Sequence, residues 1–416
     1  MHIMLITEGF APETDARASR SFDHAVVWAG LGHKVTILTK APNFPAGKVF
    51  TGYKNNWRHH ENMEGVDVWR VWSYLTPNKG IIKRLLSFLS FMVFVPWHGW
   101  RLRKKTGRPD VIIGTCPTLF APLGAWLLAK ILRVPFVFEV RDLWPESAVA
   151  VGMLRENSVG YRIFKCLADH LYHQAALIVP VGEGYEAQIL ENYPQAAGKC
   201  LIIPNGFRPD LFVPEATTTT ARAILQLPAD KVIVLYIGTL GRSQKLETIF
   251  EAAKLLEKQE NILFVIAGDG EEREYLEQLL QKNPQDNVKM MGAQPKNLVP
   301  VYYNACDIAL SPLRKSEVFK GRYPAKMFEV MAMAKPLILG GEGISCDLLH
   351  TAQAGIAVEP ENAPELASAI LQLADNAALR QEMGKSGYDY VQTRYARPAL
   401  AALYAKGIRD LIKVSV

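Results

Sequence analysis

Residues 321–339 read GRYPAKMFEVMAMAKPLIL. The stretch opens with a glycine in a polar loop, and Pro324 then precedes apolar residues at helical spacing, so we predict a helix from this proline onward. The predicted buried face of this helix consists of Met327, Val330, Met331 and Ala334. The apolar run 337–339 follows at once and predicts a buried strand. A helix that leads directly into an apolar strand indicates an α/β fold.

Short apolar runs alternate with helical patterns along the whole chain. The predicted strands of the first half are 2–7, 34–39, 66–72, 110–115, 134–140, 176–181 and 200–205. Those of the second half are 231–240, 261–270, 288–292, 307–312, 336–341 and 355–360. Such alternation is typical of parallel sheets covered by helices. We therefore predict an α/β protein with two doubly wound, Rossmann-like domains that face each other across a cleft.

The length and the distribution of prolines suggest where the two domains meet. A chain of 416 residues is natural for two domains. Prolines and a run of threonines cluster between 204 and 228, so we predict an N-terminal domain at 1–208 and a C-terminal domain at 209–395. Residues 396–416 form a predicted final helix that could pack back onto the N-terminal domain.

The composition excludes several classes of protein. Five scattered cysteines without CxxC spacing predict reduced thiols, and the nine histidines lack paired-ligand spacing, so neither disulfides nor a metal is expected. The N-terminus has no basic and apolar leader, so we expect a cytoplasmic protein. Residues 1–212 carry a net charge of +7, whereas the rest carries −1. The basic half is therefore expected to meet an anionic partner.

Candidate ligand-binding residues come directly after predicted strands of the second half, where doubly wound sheets bind their ligands. The loop 238–246 holds glycines that allow close backbone approach, together with Arg242 and Lys245. Lys326 follows a later strand. Three cations at one sheet edge favour a pyrophosphate ligand. Gly268 follows another strand, where a purely structural turn is an equal alternative.

Lys326 and Glu329 lie three residues apart on the predicted helix and are therefore neighbours on its surface. A cation in the first turn is unfavourable beside the positive end of the helix dipole unless an anion binds there. A phosphate held by Lys326, followed by a ribose whose hydroxyls donate to Glu329, has this layout. The alternative is an ordinary helix with a solvated Lys–Glu pair.

Six motifs, in this order, resemble retaining GT-B glycosyltransferases of the glycogen-synthase-like group 1, also called family 4. They are LGHKVTILT (31–39), EVRDLWPES (139–147), IIPNGF (202–207), YIGTLG (236–241), IAGDGEE (266–272) and PAKMFEVMAMAKPLI (324–338). EVRDLWPESAVAVG together with GRYPAKMFE is most similar to the N-acetyl-L-fucosamine transferase-like enzymes of bacterial surface polysaccharide assembly. The resemblance implies a nucleotide-sugar donor, UDP-linked in this branch, on the C-terminal domain and an acceptor on the N-terminal domain.

The resemblance also implies roles for single residues of the donor site. Glu329 matches the second Glu of the family's E-x7-E motif, which binds the ribose hydroxyls. The first Glu of that motif falls on Gly321, so the sequence departs from the family there, and Glu317 is an alternative for the missing sugar contacts.

The diphosphate loop departs from the family as well. Thr239 stands where an Arg is usual, and Gln244 stands where a Lys is usual. The cations expected to stabilise the diphosphate leaving group are then Arg242, Lys245 and Lys326. Thr239 and Gly268 complete the implied donor site, and the resemblance implies neither a metal nor another cofactor.

On the acceptor side, the resemblance points to the segment RDLWPES. Asp142 matches the Asp of a His-Asp pair in the family, with Arg141 in place of the His, and is implied to position the acceptor or the donor sugar. The alternative for Asp142 is an N-cap of a helix near Pro145. Glu146 could serve the same site. Arg17 could bind an acceptor phosphate, or it could be a solvated helix residue.

Residues 80–105 are basic and apolar. Between Lys79 and Arg108 there are eight basic residues and no acidic one, and the apolar core of about 16 residues is too short to span a bilayer. Basic flanks with Trp97 and Trp100 favour a helix that lies in the membrane interface, where it could reach a polyprenyl-diphosphate-linked acceptor. The alternative is a buried domain helix.

These observations together predict a metal-independent hexosyltransferase that moves a sugar from a nucleotide donor to a lipid-linked or glycan acceptor with retention. It would act at the inner face of the cytoplasmic membrane, with no nucleic acid as a partner. A GT-B nucleotide-sugar epimerase or hydrolase is one alternative. Another is an inactive nucleotide-sugar-binding relative, because of Gly321.

Overall fold

A computed structural model of the chain describes residues 1–13, 15–44, 47–76, 81–116, 118–215 and 217–414. The chain forms two compact units, Met1–Pro204 together with the chain from Pro398 onward, and Asn205–Arg397. The first boundary lies four residues before the predicted one. Two ends of predicted segments, residue 80 of the basic apolar segment and residues 415–416 of the final helix, lie outside the described residues.

The first unit contains a seven-stranded sheet in the order β3-β4-β2-β1-β5-β6-β7. Its strands are β1 (His2–Ile6), β2 (Lys34–Thr39), β3 (Arg58–Met63), β4 (Val66–Val71), β5 (Val111–Thr115), β6 (Phe136–Val140) and β7 (Leu177–Pro180). Neighbouring strands pair in parallel except for β3 and β4. The inner strands are buried along their length, as a sheet covered on both faces requires.

Helices cover both faces of this sheet. They are α1 (Ala16–Gly30), α2 (Ile81–Thr106), α3 (Phe120–Leu132), α4 (Glu146–Ala150), α5 (Val159–Gln174) and α6 (Glu183–Asn192), followed by a 3-10 turn at Pro194–Ala196. The helix α2 continues through Pro96. Among the residues that the structure describes, no helix is both long and apolar enough to cross a membrane.

The second unit contains a six-stranded parallel sheet in the order β10-β9-β8-β11-β12-β13. Its strands are β8 (Val232–Ile237), β9 (Ile262–Ala267), β10 (Val288–Gly292), β11 (Ile308–Leu310), β12 (Leu337–Gly340) and β13 (Gly355–Val358). Every strand predicted for the second half is present. The prediction of two doubly wound α/β domains is confirmed.

The second sheet carries α7 (Thr219–Leu225), α8 (Glu247–Leu255), α9 (Arg273–Lys282), α10 (Val299–Ala305), α11 (Glu317–Lys320), α12 (Ala325–Ala332), α13 (Ile344–Thr351), α14 (Ala363–Ala374) and α15 (Ala377–Gln392), with a 3-10 turn at Lys296–Leu298. Met327, Val330 and Met331 of the predicted buried face are buried, but Ala334 lies beyond the end of α12 and is half-buried, and Pro324 is the N-cap rather than the first residue. Ala334, in the turn after α12, has a φ of 53°, a conformation that glycine adopts without strain.

The final helix, α16 (Arg397–Val414), belongs with the first unit from Pro398 onward. It packs on α1, where the indole N–H of Trp28 donates to the carbonyl of Ala401 at 2.9 Å and the ring of Tyr404 meets Trp28 edge to face. These side chains belong to one hydrophobic core, which also contains Ile3 and Ile113 and lies on one face of the sheet.

One strand predicted from the sequence does not form, and one observed strand was not predicted. Residues 200–205 run beside β7, and the N–H groups of Leu201 and Ile203 donate to it, but only an isolated bridge forms. Pro180 and Pro204 lack the N–H groups that a regular ladder needs. Conversely, β3 was not predicted, because its sequence RHHENM is polar. It forms as an antiparallel edge strand on β4, where most of its side chains face solvent.

Candidate functional site

Two glycine turns pack against each other at the carboxyl ends of β8 and β9. Gly238 and Gly268 have φ values of 148° and 147°, which side chains rarely tolerate. A Cβ on Gly268 would lie 1.8 Å from the carbonyl oxygen of Gly238. The second turn is fixed further by a 2.9 Å hydrogen bond from the N–H of Leu240 to Asp269. Close packing alone therefore requires Gly268, whatever ligand binds there.

We expect Gly268→Ala to lower the stability of the second unit by at least about 3 kcal/mol, because the added methyl overlaps a carbonyl oxygen and the backbone conformation is strained. For a domain of this size, this corresponds to a fall of roughly 6–12 °C in the melting temperature. Gly341→Ala is the matched control, since its added Cβ would lie 3.6 Å from its nearest neighbour. Equal melting temperatures for the two variants would contradict the packing of the turns.

Lys326, in the first turn of α12, places its ammonium group over the first glycine turn. The nitrogen is shielded from solvent and has no hydrogen-bond partner among the described residues. It lies 3.6 Å from the centre of the Tyr236 ring and 3.0 Å from where a Cβ on Gly238 would be. Burial lowers the pKa of Lys326 to about 7. An ammonium group in this position is costly unless it meets an anion.

Glu329 lies one turn further along α12, on the same side as Lys326. Its carboxylate accepts a hydrogen bond from the hydroxyl of Tyr303 at 3.5 Å. Burial and the Glu329 charge raise the pKa of Tyr303 well above its ordinary value, so the phenol stays a donor. The negative charge of Glu329 also favours the protonated form of Lys326. The structure thus brings together the two residues that the helical spacing paired.

Arg242 and Lys245 lie at the same sheet edge but are paired with carboxylates. The half-exposed guanidinium of Arg242 lies 3.6 Å from Glu271, and the ammonium of Lys245 lies 3.1 Å from Glu247. Both cations are therefore held in ion pairs, whereas Lys326 forms none with the described residues. Thr239, in the same loop, accepts a 2.6 Å hydrogen bond from the Tyr236 hydroxyl through its carbonyl.

A third loop, which follows β11, joins this edge through Arg314, a residue that the sequence analysis missed. Its backbone N–H donates to Ser243 at 2.9 Å, and its guanidinium donates to the carbonyl of Arg242 at 2.9 Å. The sequence feature that could have identified Arg314 is its position four residues after β11.

The same loop leads through α11 to Gly321, which is buried and ends that short helix. Glu317, the proposed substitute, has an 85% exposed side chain paired with Lys320.

Asp142 and Arg141 follow β6 in the first unit. The carboxylate of Asp142 takes part in none of the hydrogen bonds or ion pairs recorded for the described residues, while its N–H approaches the sulfur of Cys116 at 3.3 Å. The alternative role as an N-cap is wrong, because α4 is capped at Pro145 without any side-chain bond. Arg141 donates to the carbonyl of Arg17 at 2.9 Å, and burial lowers its pKa to about 10.

Arg17 and Glu146 are both held by partners in the first unit. Arg17 makes two hydrogen bonds to Asp15, the N-cap of α1, and its guanidinium lies 4.2 Å from the centre of the Phe44 ring. Arg17 is thus not the solvated residue of the alternative reading. Glu146 accepts a 3.0 Å hydrogen bond from Lys165 on α5.

A buried polar group that was not predicted from the sequence lies at the carboxyl ends of β1, β2 and β5. The carboxylate of Glu8 lies 3.2 Å from the ammonium of Lys40 and accepts a 2.8 Å hydrogen bond from the hydroxyl of Thr118. All three residues follow strands closely, which is the signal that could have identified them. In the part of the chain that the structure describes, no three His, Cys, Asp or Glu residues group as metal ligands.

Comparisons with known proteins agree with this architecture. Residues 217–390 match the family model of group 1 glycosyl transferases, and residues 23–206 match that of the glycosyl transferase 4-like domain. The chain therefore belongs to the group 1 glycosyltransferases, enzymes that transfer hexosyl groups.

A relative from Escherichia coli (strain K12), WcaI, is named as a glycosyl transferase of colanic acid biosynthesis. It is 26% identical over 385 residues, which cover 89% of this chain and 92% of the relative.

Two solved structures share the GT-B fold. Sucrose-phosphate synthase from Thermosynechococcus elongatus has a TM-score of 0.80 at 20% identity, with all of both chains covered. Anabaena Alr3699/HepE in complex with UDP-glucose has a TM-score of 0.72 at 15% identity, with 99% of this chain and 100% of that chain covered.

Proposed function

We propose that this group 1 enzyme transfers a sugar from a UDP-linked donor to a lipid-linked or glycan acceptor, with retention of the anomeric configuration and without a metal ion. The observation that carries the donor part of the proposal is Lys326. Its ammonium is buried and without a hydrogen-bond partner among the described residues, and it faces a glycine turn at the carboxyl edge of the second sheet. A diphosphate bound there would compensate this charge.

The diphosphate is also the group that the reaction must stabilise, because negative charge grows on it as the glycosidic bond breaks. Lys326 would donate to a phosphate oxygen, and the N-terminal N–H groups of α12 would add their partial positive charge. Arg242 would contribute more weakly, because Glu271 lies 3.6 Å away. Fixed cations in these positions supply the charge stabilisation for which other transferases use a metal.

Retention is proposed from the resemblance to retaining transferases, and the same arrangement is compatible with it. The acceptor hydroxyl would attack from the face that the diphosphate leaves, and a phosphate oxygen would take its proton. No protein base is then required. We propose that Asp142 orients the acceptor or the donor sugar, because its carboxylate forms no ion pair with any of the described residues.

Glu329 is proposed to bind the ribose, and its removal provides a direct test. We expect Glu329→Ala to raise the donor KM about 10- to 100-fold, because hydrogen bonds to a charged group contribute about 1.5–3 kcal/mol. Steady-state kinetics with UDP-sugars would measure this change. Glu382→Ala on α15 is the control, since this residue is exposed and lies outside the site. A wild-type donor KM in Glu329→Ala would refute the ribose role.

The identity of the donor and of the acceptor rests on similarity. The neighbour HepE binds UDP-glucose, and the relative WcaI is named for the synthesis of a surface polysaccharide. The N-acetyl-L-fucosamine transferase-like motifs point to the same kind of pathway. The basic and apolar α2 supports a lipid-linked acceptor, met at the inner face of the cytoplasmic membrane.

A nucleotide panel followed by a turnover assay tests the whole proposal. UDP should raise the melting temperature more than GDP, ADP or TDP, and UDP-sugar should be consumed only when a glycan or polyprenyl-diphosphate acceptor is present. The absence of stabilisation by every nucleotide would overturn the donor proposal. Release of UDP at equal rates with and without acceptor would favour the hydrolase or epimerase alternative. UDP binding without any turnover would favour the inactive relative.

A further inference from the structure

Three helices form one layer on a face of the first sheet. Rings of Phe88 on α2 and Phe120 on α3 stack at 5.7 Å, and Phe120 meets Phe164 of α5 at 5.9 Å. Below them, Gly114 of β5 faces α3, since a Cβ there would lie 2.7 Å from Ala125. The helices α1 and α16 cover the opposite face of the sheet, which carries Ile113. The layer therefore has one side on the sheet and one side in solvent.

The packing of α2 on α3 is close and fixes how α2 is turned. A Cβ on Gly99 would lie 2.2 Å from Leu128, and a Cβ on Gly124 would lie 3.0 Å from the carbonyl of Met92. This close approach buries the stripe of α2 that contains Phe91, Val95 and Leu102. The opposite stripe of the same helix carries the exposed Val93, Trp97 and Trp100, although Trp97 also meets the ring of Trp57 at 5.5 Å.

The outward side of the layer is unusually apolar. Half of the exposed large apolar side chains in the described part of the chain lie on these three helices, which make up only about an eighth of the sequence. Examples from each helix are Val93, Trp97, Trp100, Ile131, Val159 and Ile163. Scattered single residues of this kind need no explanation, but their concentration on three packed helices favours an interaction surface.

The charge of α2 and α3 is one-signed, whereas α5 carries Arg162, Lys165 and the acidic Asp169. Neither α2 nor α3 contains an acidic residue, while α2 carries six basic residues and α3 carries Lys130. The guanidinium groups of Arg101 and Arg103 lie 4.7 Å and 5.1 Å from the ring centres of Trp97 and Trp100. Indole rings paired with cations beside aliphatic side chains match the boundary between lipid headgroups and acyl chains.

We propose that the outward sides of α2, α3 and α5 together form a docking surface for a bilayer that contains anionic lipids. Charge complementarity selects this occupant, since the basic residues match negatively charged headgroups and the apolar side chains match the layer below them. The bilayer would thus contact one face of the first unit, formed by three helices, rather than a single helix. The proposal rests on the proposed function, because the docking surface would bring the enzyme to a lipid-linked acceptor. Binding of the protein to a bilayer, however, requires no sugar transfer.

Vesicle sedimentation with the purified full chain tests the surface. We expect binding to vesicles of phosphatidylcholine with phosphatidylglycerol, weak binding to phosphatidylcholine alone, and weaker binding at high salt. Ile131→Ser with Ile163→Ser should weaken the partition coefficient at least about tenfold, as should Trp97→Ser with Trp100→Ser. Ile224→Ser with Leu255→Ser is the matched control, because these exposed side chains lie on the second unit.

The variants separate the possible outcomes. Wild-type vesicle binding by the Ile131 and Ile163 variant would overturn the three-helix surface and leave at most a contact through α2. Wild-type binding by both double variants, or equal binding to both kinds of vesicle, would overturn an anionic bilayer as the occupant. UDP binding should be unchanged in every variant, so failure of the surface is distinguishable from failure of the proposed donor site.

Discussion

Replacing Lys326 by methionine is expected to weaken UDP binding about 10- to 100-fold while leaving the free protein as stable as the wild type or more stable. Each charge-assisted hydrogen bond to phosphate contributes about 1.5–3 kcal/mol, so the loss of this ammonium group removes at least one such contribution. The free protein loses no hydrogen bond to the described residues, and its loss of the contact with the Tyr236 ring and of the attraction of Glu329 is offset because no ammonium group has to be buried. Methionine is apolar and similar in length, so it fits the slot beside Tyr236 without leaving a buried charge.

Weaker UDP binding without a loss of stability distinguishes a binding residue from a structural one. Lys335→Met is the matched control, since the Lys335 ammonium donates to the carbonyls of Asn304 and Cys306. That variant should lose stability and keep its affinity for UDP. Calorimetric titration with UDP and thermal melting without ligand measure the two quantities. Unchanged UDP affinity in Lys326→Met would remove Lys326 from the donor site.

Much of the second unit was predictable because its strands are nearly continuous apolar runs. Such runs occur where a parallel strand is covered on both faces, and VIVLYI and ILFVIA are examples. The pairing of Lys326 with Glu329 was predictable for a similar reason, since helical spacing alone makes them neighbours. Local periodicity was sufficient in both cases.

The electrostatic state of the candidate site was not predictable from the sequence. Arg242 and Lys245 have the same residue types and the same spacing from β8 that made them candidates, yet Glu271 and Glu247 partly compensate their charges. The first of these pairings joins two loops and depends on the close approach of Gly238 and Gly268. A sequence pattern contains no distance between loops, so it could not distinguish these cations from Lys326.

The same limit explains the errors in the first unit. Asp142 precedes a proline and a short helix, which is the usual position of an N-cap, but its backbone is turned towards Cys116 and α4 is capped without it. Strand β3 has no apolar face because it lies at the sheet edge, and only its pairing with β4 reveals it. Tertiary contacts decide both cases.

The affinity for UDP is expected to fall as the pH rises above about 7, by up to tenfold per pH unit. Burial lowers the pKa of Lys326 from its ordinary value to about 7, so the free protein progressively loses this charge above that pH. A bound diphosphate favours the charged form and raises the pKa of Lys326 again. Binding must then take up a proton between the pKa of the free protein and that of the complex. Below pH 7 the lysine is already charged in both states and contributes no further change.

The two phenols that face Lys326 do not titrate in this window. Burial raises the pKa of Tyr236 and that of Tyr303, so both phenols stay neutral. The nearby Arg322 keeps its charge at these pH values, as arginines in proteins do. A terminal phosphate loses its last proton near pH 6, so the charge of UDP is constant from about pH 7 up to the alkaline pH at which its uracil ring ionises. Proton uptake in this range can therefore be assigned to Lys326.

Titration calorimetry in buffers of different ionisation enthalpy measures this proton uptake directly. The wild type should take up close to one proton per UDP above about pH 8, and its dissociation constant should rise with pH. Lys326→Arg keeps a charge at every accessible pH, so its dissociation constant should not change over the same range. If both proteins follow the same pH profile, the titrating group lies elsewhere. If neither depends on pH, Lys326 is charged before the ligand arrives, because the Glu329 carboxylate on the same helix outweighs the effect of burial.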